Sequence, residues 1–235
     1  MSPHRLSRES NEQAELPGAP GGAGNANCTR ALQARVDRMP RPNAPCVMSG
    51  SALPLPLVAR DGRSAWLRAA EIADAEGLAA FLHGLSAATR AVFLPHAADE
   101  ATVHRYLSRA TAGVDLAYVL ATDAGLAGYA FLWDFDQPVP LLGIGFADAW
   151  QGQGLGEKVL RRLLDDARHA RRAAVELSTV PGNTRALRLY ERVGFVRLGD
   201  VDNVAGDGRV VREHRMFLPL QPDARPPERH FGPPV

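Results

Sequence analysis

Between Ser64 and Leu218 the apolar residues fall into alternating stretches of period two and period 3.6, whereas no period is sustained on either side. Ala65–Ala69 alternates as a short strand. Asp74 then suits a helix N-cap, and Leu78, Phe81, Leu82 and Leu85 follow at i, i+3, i+4 and i+7. A second helix is predicted from about Asp99, with Val103, Tyr106, Leu107 and Ala110 on one face. Leu116–Thr122 and Leu126–Phe135 read as strands joined by the turn Asp123-Ala124-Gly125, and Pro140–Ala147 as another. From Gly154 to Arg171, Leu155, Val159, Leu160, Leu163, Leu164 and Ala167 form the strongest helical stripe. Ala173–Val180 is a strand, and Ala186, Leu189, Tyr190 and Val193 mark a helix that Gly194 stops. Phe195–Leu198 and Val210–Leu218 close the pattern as strands. Hairpins mixed with helical crossovers predict an α+β (mixed α/β) fold around a mixed sheet.

Composition separates this unit from its flanks. Residues 1–63 are rich in Pro, Gly, Ala, Asn and Arg, and are expected to be a disordered leader apart from a weak helical patch at Thr29–Met39. Met39 and Met48 offer alternative starts. Residues 219–235 are again proline-rich and read as a tail, leaving 64–218 as a single domain. No secretory pattern opens the chain and no apolar run spans a bilayer, so a cytoplasmic protein without a membrane partner is expected. The net charge of +1 lacks the basic excess of a nucleic-acid binder. Cys28 and Cys46 have no metal-ligand spacing, so no metal is expected.

The chemistry concentrates in Gly143 to Gly156, where a strand passes through a glycine-rich loop into the longest helix. Glycines let backbone amides approach a ligand, and a helix N-terminus adds N–H groups and partial positive charge, which suits phosphate. A P-loop is excluded because no glycine precedes a lysine. A dinucleotide fingerprint fails too, since Gly143-x-Gly145 meets Asp148 and Gly152-x-Gly154 meets Glu157 at the last position. What fits is Q-x-x-G-x-G: Gln151, Gly152, Gln153, Gly154, Leu155, Gly156.

That motif resembles the acyl-CoA pyrophosphate loop of the GNAT N-acetyltransferase superfamily. Further on, Asn183-Thr184-Arg185-Ala186-Leu187-Arg188-Leu189-Tyr190-Glu191-Arg192-Val193-Gly194-Phe195 resembles the N-x-x-A-x-x-L-Y-E-x-x-G-F segment of many members. The resemblance implies a mostly antiparallel sheet of six to seven strands with about four flanking helices. It implies that Ile144, Gly145 and Phe146 hold the pantetheine arm of acetyl-CoA through their backbone, beside a local splay of the sheet. Amides from Gly152 to Glu157 would hold the pyrophosphate, Asn183 would contact the arm, and Tyr190 would act as general acid. The expected partner is an amine acceptor, and the expected assembly a monomer or homodimer.

Direct transfer to an amine poses two proton problems. A lysine-like amine of pKa near 10.4 is free base in only about one molecule in 2,500 at pH 7, a deficit of roughly 4.6 kcal/mol. A leaving thiolate near 8.5 can take a proton from an ordinary tyrosine near 10 at a cost of about 2 kcal/mol. The oxyanion would meet the N–H of Phe146 or Ala147. The base is less legible. Ribosomal-protein acetyltransferases of this family carry a glutamate five residues before the asparagine, where this chain has Ser178. Glu176 shares that strand face and is the candidate base, with Asp134, His96, Glu213 and His214 as others. Bland alternatives stand beside these roles: Tyr190 as only a core tyrosine, Asn183 as a mere helix cap, the arginines of the long helix as a solvated face, and Asp200, Asp202 and Asp207 as loop acids rather than a cation-attracting lip. The absent glutamate also leaves open a non-catalytic acyl-CoA-binding module.

Overall fold

The computed structural model describes residues 53–228. Cys28, Cys46, the 29–39 patch, both alternative starts and residues 229–235 lie outside them. The element order is β1 (Leu55–Val58), β2 (Ser64–Ala69), α1 (Ala75–Gly84), α2 (Ala87–Arg90), α3 (Glu100–Thr111), β3 (Leu116–Thr122), β4 (Gly125–Trp133), β5 (Leu141–Phe146), α4 (Leu155–His169), β6 (Ala174–Thr179), α5 (Thr184–Val193), β7 (Val196–Val204) and β8 (Val210–Pro219). The strands form one sheet in the order β1-β2-β3-β4-β5-β6-β8-β7, antiparallel everywhere except between β5 and β6.

The mixed, mostly antiparallel fold is as the sequence predicts, with eight strands among the described residues rather than six or seven. The additional strand corrects the boundary of the leader: Leu55–Val58 pairs with β2, and Leu57 and Ala59 are buried. Pro54 and Pro56 interrupt the chain's alternating leucines and read as breakers. At a sheet edge a missing N–H is tolerated, so the alternation still forms a strand. Strand β7 also extends past Leu198 to Val204, because pairing with β8 continues where apolar alternation stops.

Strands β3 and β4 carry helices on both faces, and their alternation sorts the core. Ala117, Val119, Tyr129, Phe131 and Trp133 pack with Leu78, Leu82, Val103 and Leu107 of α1 and α3. Tyr118, Leu120, Ala130 and Leu132 pack with the stripe of α4. Side chains cap α3 and α5: Asp99 accepts from the Thr102 N–H at 2.9 Å, and Asn183 from the Ala186 N–H at 3.3 Å, whereas Asp74 makes no such bond at the start of α1. Gly194 ends α5 at φ 110°. The arginines of α4 are not uniformly solvated. Arg162 is 7% exposed and holds Asp166 at 2.8 Å, which also accepts from the Tyr118 hydroxyl at 2.7 Å.

Leu163 is wholly buried at the centre of the α4 stripe. Truncation to alanine should lower the unfolding free energy by about 2–5 kcal/mol through lost burial and a cavity. Urea denaturation measures this, and a loss below about 1 kcal/mol would show that α4 does not anchor the core.

Candidate functional site

The site begins where the sheet opens. β5 and β6 are paired at one position, Leu141 opposite Glu176, and then separate. The Glu176 N–H donates to the Pro140 carbonyl at 3.1 Å, and the Ala147 N–H to Ala127 on the β4 side at 2.9 Å. Strand alternation therefore directs the backbone groups of Leu142, Ile144 and Phe146 into the opening, while Gly143 and Gly145 bond toward β4. Of the three strand residues expected to contact a ligand arm, Ile144 and Phe146 offer backbone groups, whereas Gly145 offers room. A Cβ on Gly145 would lie 2.2 Å from the Phe93 ring, and one on Gly143 2.2 Å from the Phe131 ring. The two oxyanion candidates also separate, because the Ala147 N–H is spent on β4 and that of Phe146 faces the gap.

Beyond β5 the loop turns twice on left-handed glycines, Gly152 at φ 82° and Gly154 at φ 78°. Gly154 is the N-cap of α4 and no side chain caps this helix, so its first-turn N–H groups remain available to an anion. The loop's polar side chains are engaged by the protein, so the expectation that rests on backbone amides is the one left to the loop. Gln151 Nε2 donates to Thr89 Oγ1 at 2.9 Å and to the Phe146 carbonyl at 3.1 Å. Gln153 accepts from the Asp61 N–H through Oε1 at 3.2 Å, and its backbone carbonyl accepts from the Arg60 N–H at 3.1 Å. Glu157 pairs with Arg161 at 2.7 Å and Arg192 at 3.2 Å. Gly156 stands where α4 passes α5, its Cβ position 3.4 Å from Leu189. Asp148 fastens the loop to α2, accepting from the Ser86 N–H, Ser86 Oγ and Thr89 Oγ1 at 3.0, 2.5 and 2.7 Å. Those bonds from Ser86 and Thr89 hold its carboxyl down at about 2.

Two basic residues absent from the motif reading flank the loop. Arg60, in the β1–β2 turn, lies over Gly154, where a Cβ would stand 3.3 Å from its Nε. Arg185, in the first turn of α5, lies over Gly152, with its Nη1 3.2 Å from the corresponding position. Neither has a carboxylate partner among the described residues. The asparagine segment held a signal for Arg185, two residues after Asn183. Arg60 had none, because the docking of its hairpin onto Gln153 is a tertiary event.

Tyr190 is 8% exposed on the inner face of α5, edge-on to Phe195. Burial first, and then the charge of Glu213, push its hydroxyl up to about 12. Asn183 Oδ1 is spent on the helix cap, as the bland alternative held.

On the opposite side of the sheet a cleft of about 90 Å³ is lined by Phe93, Leu94, Phe131, Ser178, Asn203 and Glu213, among others. The β7–β8 hairpin reaches over it, and the Gly206 N–H donates to the Leu94 carbonyl at 2.8 Å. A Cβ on Gly206 would fall 2.1 Å from the His96 backbone, so only glycine permits this approach.

Most of the acid and base candidates are structural. Glu176 is fully buried and its carboxylate is committed to Arg215, so it is corrected from candidate base to core ion pair. Its place at the last paired position of β5 and β6 explains this, since the strand face it shares with Ser178 is covered there and opens only later. Asp134 is held by Arg109 at 2.8 Å. His214 pairs with Asp200 at 2.7 Å. The acidic lip is neutralised, Asp200 by Arg197, Asp202 by Arg212 and Asp207 by Arg209. His96 is 1% exposed and stacks on Tyr106 at a centroid distance of 4.3 Å. Among the described residues no group of His, Cys, Asp or Glu gathers as a metal site, and no helix is long and apolar enough to cross a membrane.

The site is thus a strand that parts from its parallel neighbour, followed by a glycine turn into an uncapped helix. The chain belongs to the acetyltransferase (GNAT) domain family, whose model matches residues 65–196. It is 40% identical over 87 residues to N-alpha-acetyltransferase RimI of Mycobacterium tuberculosis, covering 35% of this chain and 53% of that protein. It is 35% identical over 100 residues to N-alpha-acetyltransferase 40 of Saccharomyces cerevisiae, covering 39% of this chain and 35% of that one. The chain thus spans about half or less of the curated relatives it matches. Its fold is similar to that of yncA from Salmonella typhimurium, solved with acetyl-CoA, at a TM-score of 0.56 and 22% identity over 69% of this chain and 98% of that one.

Burial holds the His96 imidazole down at about 4, below the 6.5 of an exposed ring. Its contribution to stability is therefore complete above pH 6.5 and lost as pH falls toward 4. Between pH 7 and 4.5 the parent should lose about 2–3 kcal/mol more unfolding free energy than His96→Gln. Urea titrations at the two pH values measure the difference, and equal losses would contradict the assignment.

Proposed function

We propose that this protein transfers an acetyl group from acetyl-CoA to a primary amine of a small molecule, peptide or protein by direct attack in a ternary complex. The observation that carries the reading is the opening between β5 and β6, followed along the chain by the uncapped N-terminus of α4. The residues fit such a cosubstrate along its length. Backbone groups of Ile144 would pair with the pantetheine arm in place of the missing strand. The first-turn N–H groups of α4, beyond Gly152 and Gly154, would receive the pyrophosphate. Arg60 and Arg185 would flank it and neutralise phosphate charge. Asn183 caps its helix through Oδ1, leaving its amide hydrogens to offer to the arm. The names of the two relatives support an α-amine as the acceptor class.

The Phe146 N–H would meet the developing oxyanion, and Tyr190 would donate to the departing sulfur. With a hydroxyl near 12 rather than 10, full proton transfer to a thiolate near 8.5 is uphill by about 5 kcal/mol instead of 2. Tyr190 therefore acts first as a hydrogen-bond donor to sulfur, and its proton moves as nitrogen releases one. Thiol release from acetyl-CoA with a panel of primary amines tests the activity. Stabilisation by acetyl-CoA without thiol release on any amine would identify the binding module instead.

Tyr190→Phe should lower kcat about 10- to 100-fold with the Kd for acetyl-CoA within about twofold. Unchanged turnover in this kinetic comparison would remove Tyr190 from the mechanism. Arg60→Ala should weaken coenzyme A binding several-fold in titration calorimetry, with the deficit shrinking as salt rises. Gly154→Ala should weaken it further, because φ 78° disfavours any Cβ. An unchanged Kd in both variants would contradict the loop assignment.

A further inference from the structure

We propose that Glu213, oriented by Asn203, binds the acceptor amine in the cleft and takes its proton, so that β8 supplies a carboxylate that β6 lacks at Ser178. The inference rests on the acetyltransferase reading above and assigns that site its base. Asn203 Nδ2 donates to Glu213 Oε2 at 2.9 Å and to Ser178 Oγ at 3.3 Å. Register places all three side chains on one face: Ser178 is opposite Arg215, two residues from Glu213, and Glu213 is opposite Val201, two residues from Asn203. Of the four acids Glu176, Asp200, Asp202 and Glu213, only Glu213 has no cationic partner among the described residues. It is also the one of the four that lines the cleft.

A second observation points to the ligand. Asn203 Oδ1 is buried and has no hydrogen-bond partner among the described residues. The amide cannot be turned to relieve this, because Glu213 accepts and must face the nitrogen. A carboxylate and an orphaned amide oxygen side by side at this cleft are two acceptors awaiting N–H donors. A primary ammonium has three donors and positive charge. The other charged groups around Glu213 are occupied or lie across the gap. Arg90 donates to the Leu85 carbonyl at 2.5 Å, and Arg215 is paired with Glu176. Tyr190 belongs to α5, which packs on the opposite face of the sheet. Acid and base thus stand on either side of the opening through which the thioester would lie.

The protons balance. The ammonium gives one proton to Glu213, and its lone pair forms the C–N bond as the C–S bond breaks toward sulfur. Sulfur takes the Tyr190 proton, and the second proton from nitrogen restores Tyr190. Glu213 returns the first to solvent, leaving an amide and a thiol.

The test compares the full chain with Glu213→Gln, using n-butylamine and tri-alanine as probes. Melting shifts with coenzyme A bound report amine binding, and thiol release reports turnover. In the variant the amine-dependent shift should vanish. At pH 7 kcat should fall at least 50-fold with the acetyl-CoA Kd unchanged, and the deficit should shrink about tenfold per unit as pH rises toward the pKa of the amine. Adding Ser178→Glu should restore part of the activity by returning a carboxylate to Asn203, which a merely structural role would not allow. Wild-type turnover with Glu213→Gln within threefold, or a deficit independent of pH, would overturn this proposal and leave the acetyltransferase reading intact. An amine shift that is lost in Glu213→Gln, without thiol release by the wild type, would retain the amine site and refute the acetyltransferase reading. Neither shift nor release in the wild type would overturn both.

Discussion

The separation of β5 from β6 after one paired position is the constraint on which the site depends. A strand inside a sheet cannot leave its amides unpaired without cost, so the backbone groups freed there must find water or another partner. The same separation makes a passage between the two faces of the sheet. Tyr190 stands on one face, and Ser178, Asn203 and Glu213 on the other. Leu141 and Glu176 hold the apex closed, with Glu176 tied to Arg215, which is why that glutamate belongs to the frame.

The opening is kept in shape by contacts between segments remote in the chain. Asp148 and Gln151 clamp the glycine loop to Ser86 and Thr89 of α2. The β1–β2 turn holds the same loop from outside through Gln153, with Arg63 donating to the Ala149 carbonyl at 2.5 Å and covering Trp150. Helix α2 also leads into the segment that carries Phe93 and Leu94, so one small element borders both the glycine loop and the cleft. Glycine is used here chiefly as absence. Gly143 and Gly145 admit aromatic rings against β5, and Gly206 admits the hairpin against His96.

Much of this was legible in one sequence. The helical stripe of α4, the alternation of β3 and β4, the Gly194 stop and the two motifs are local patterns, and each maps onto a local structure. What escaped reading was long-range. Pro54 and Pro56 disguised β1, whose strand character depends on its being an edge. Arg60 gains a role only when its hairpin docks on Gln153. The motif pointed to backbone amides, and a motif does not record whom its polar side chains touch. Gln151, Gln153 and Glu157 all face protein partners.

The sequence by itself determined the family, the mixed sheet and the strand-loop-helix that suits phosphate, because these follow from period, turn chemistry and spacing within short stretches. Only the tertiary structure decided which acids are available. Glu176, Asp134, Asp200 and Glu213 are all carboxylates in the sequence, and the first three are neutralised by Arg215, Arg109 and Arg197. A carboxylate's availability depends on its burial and its partner, and both are set by strand register and hairpin docking rather than by position in the chain.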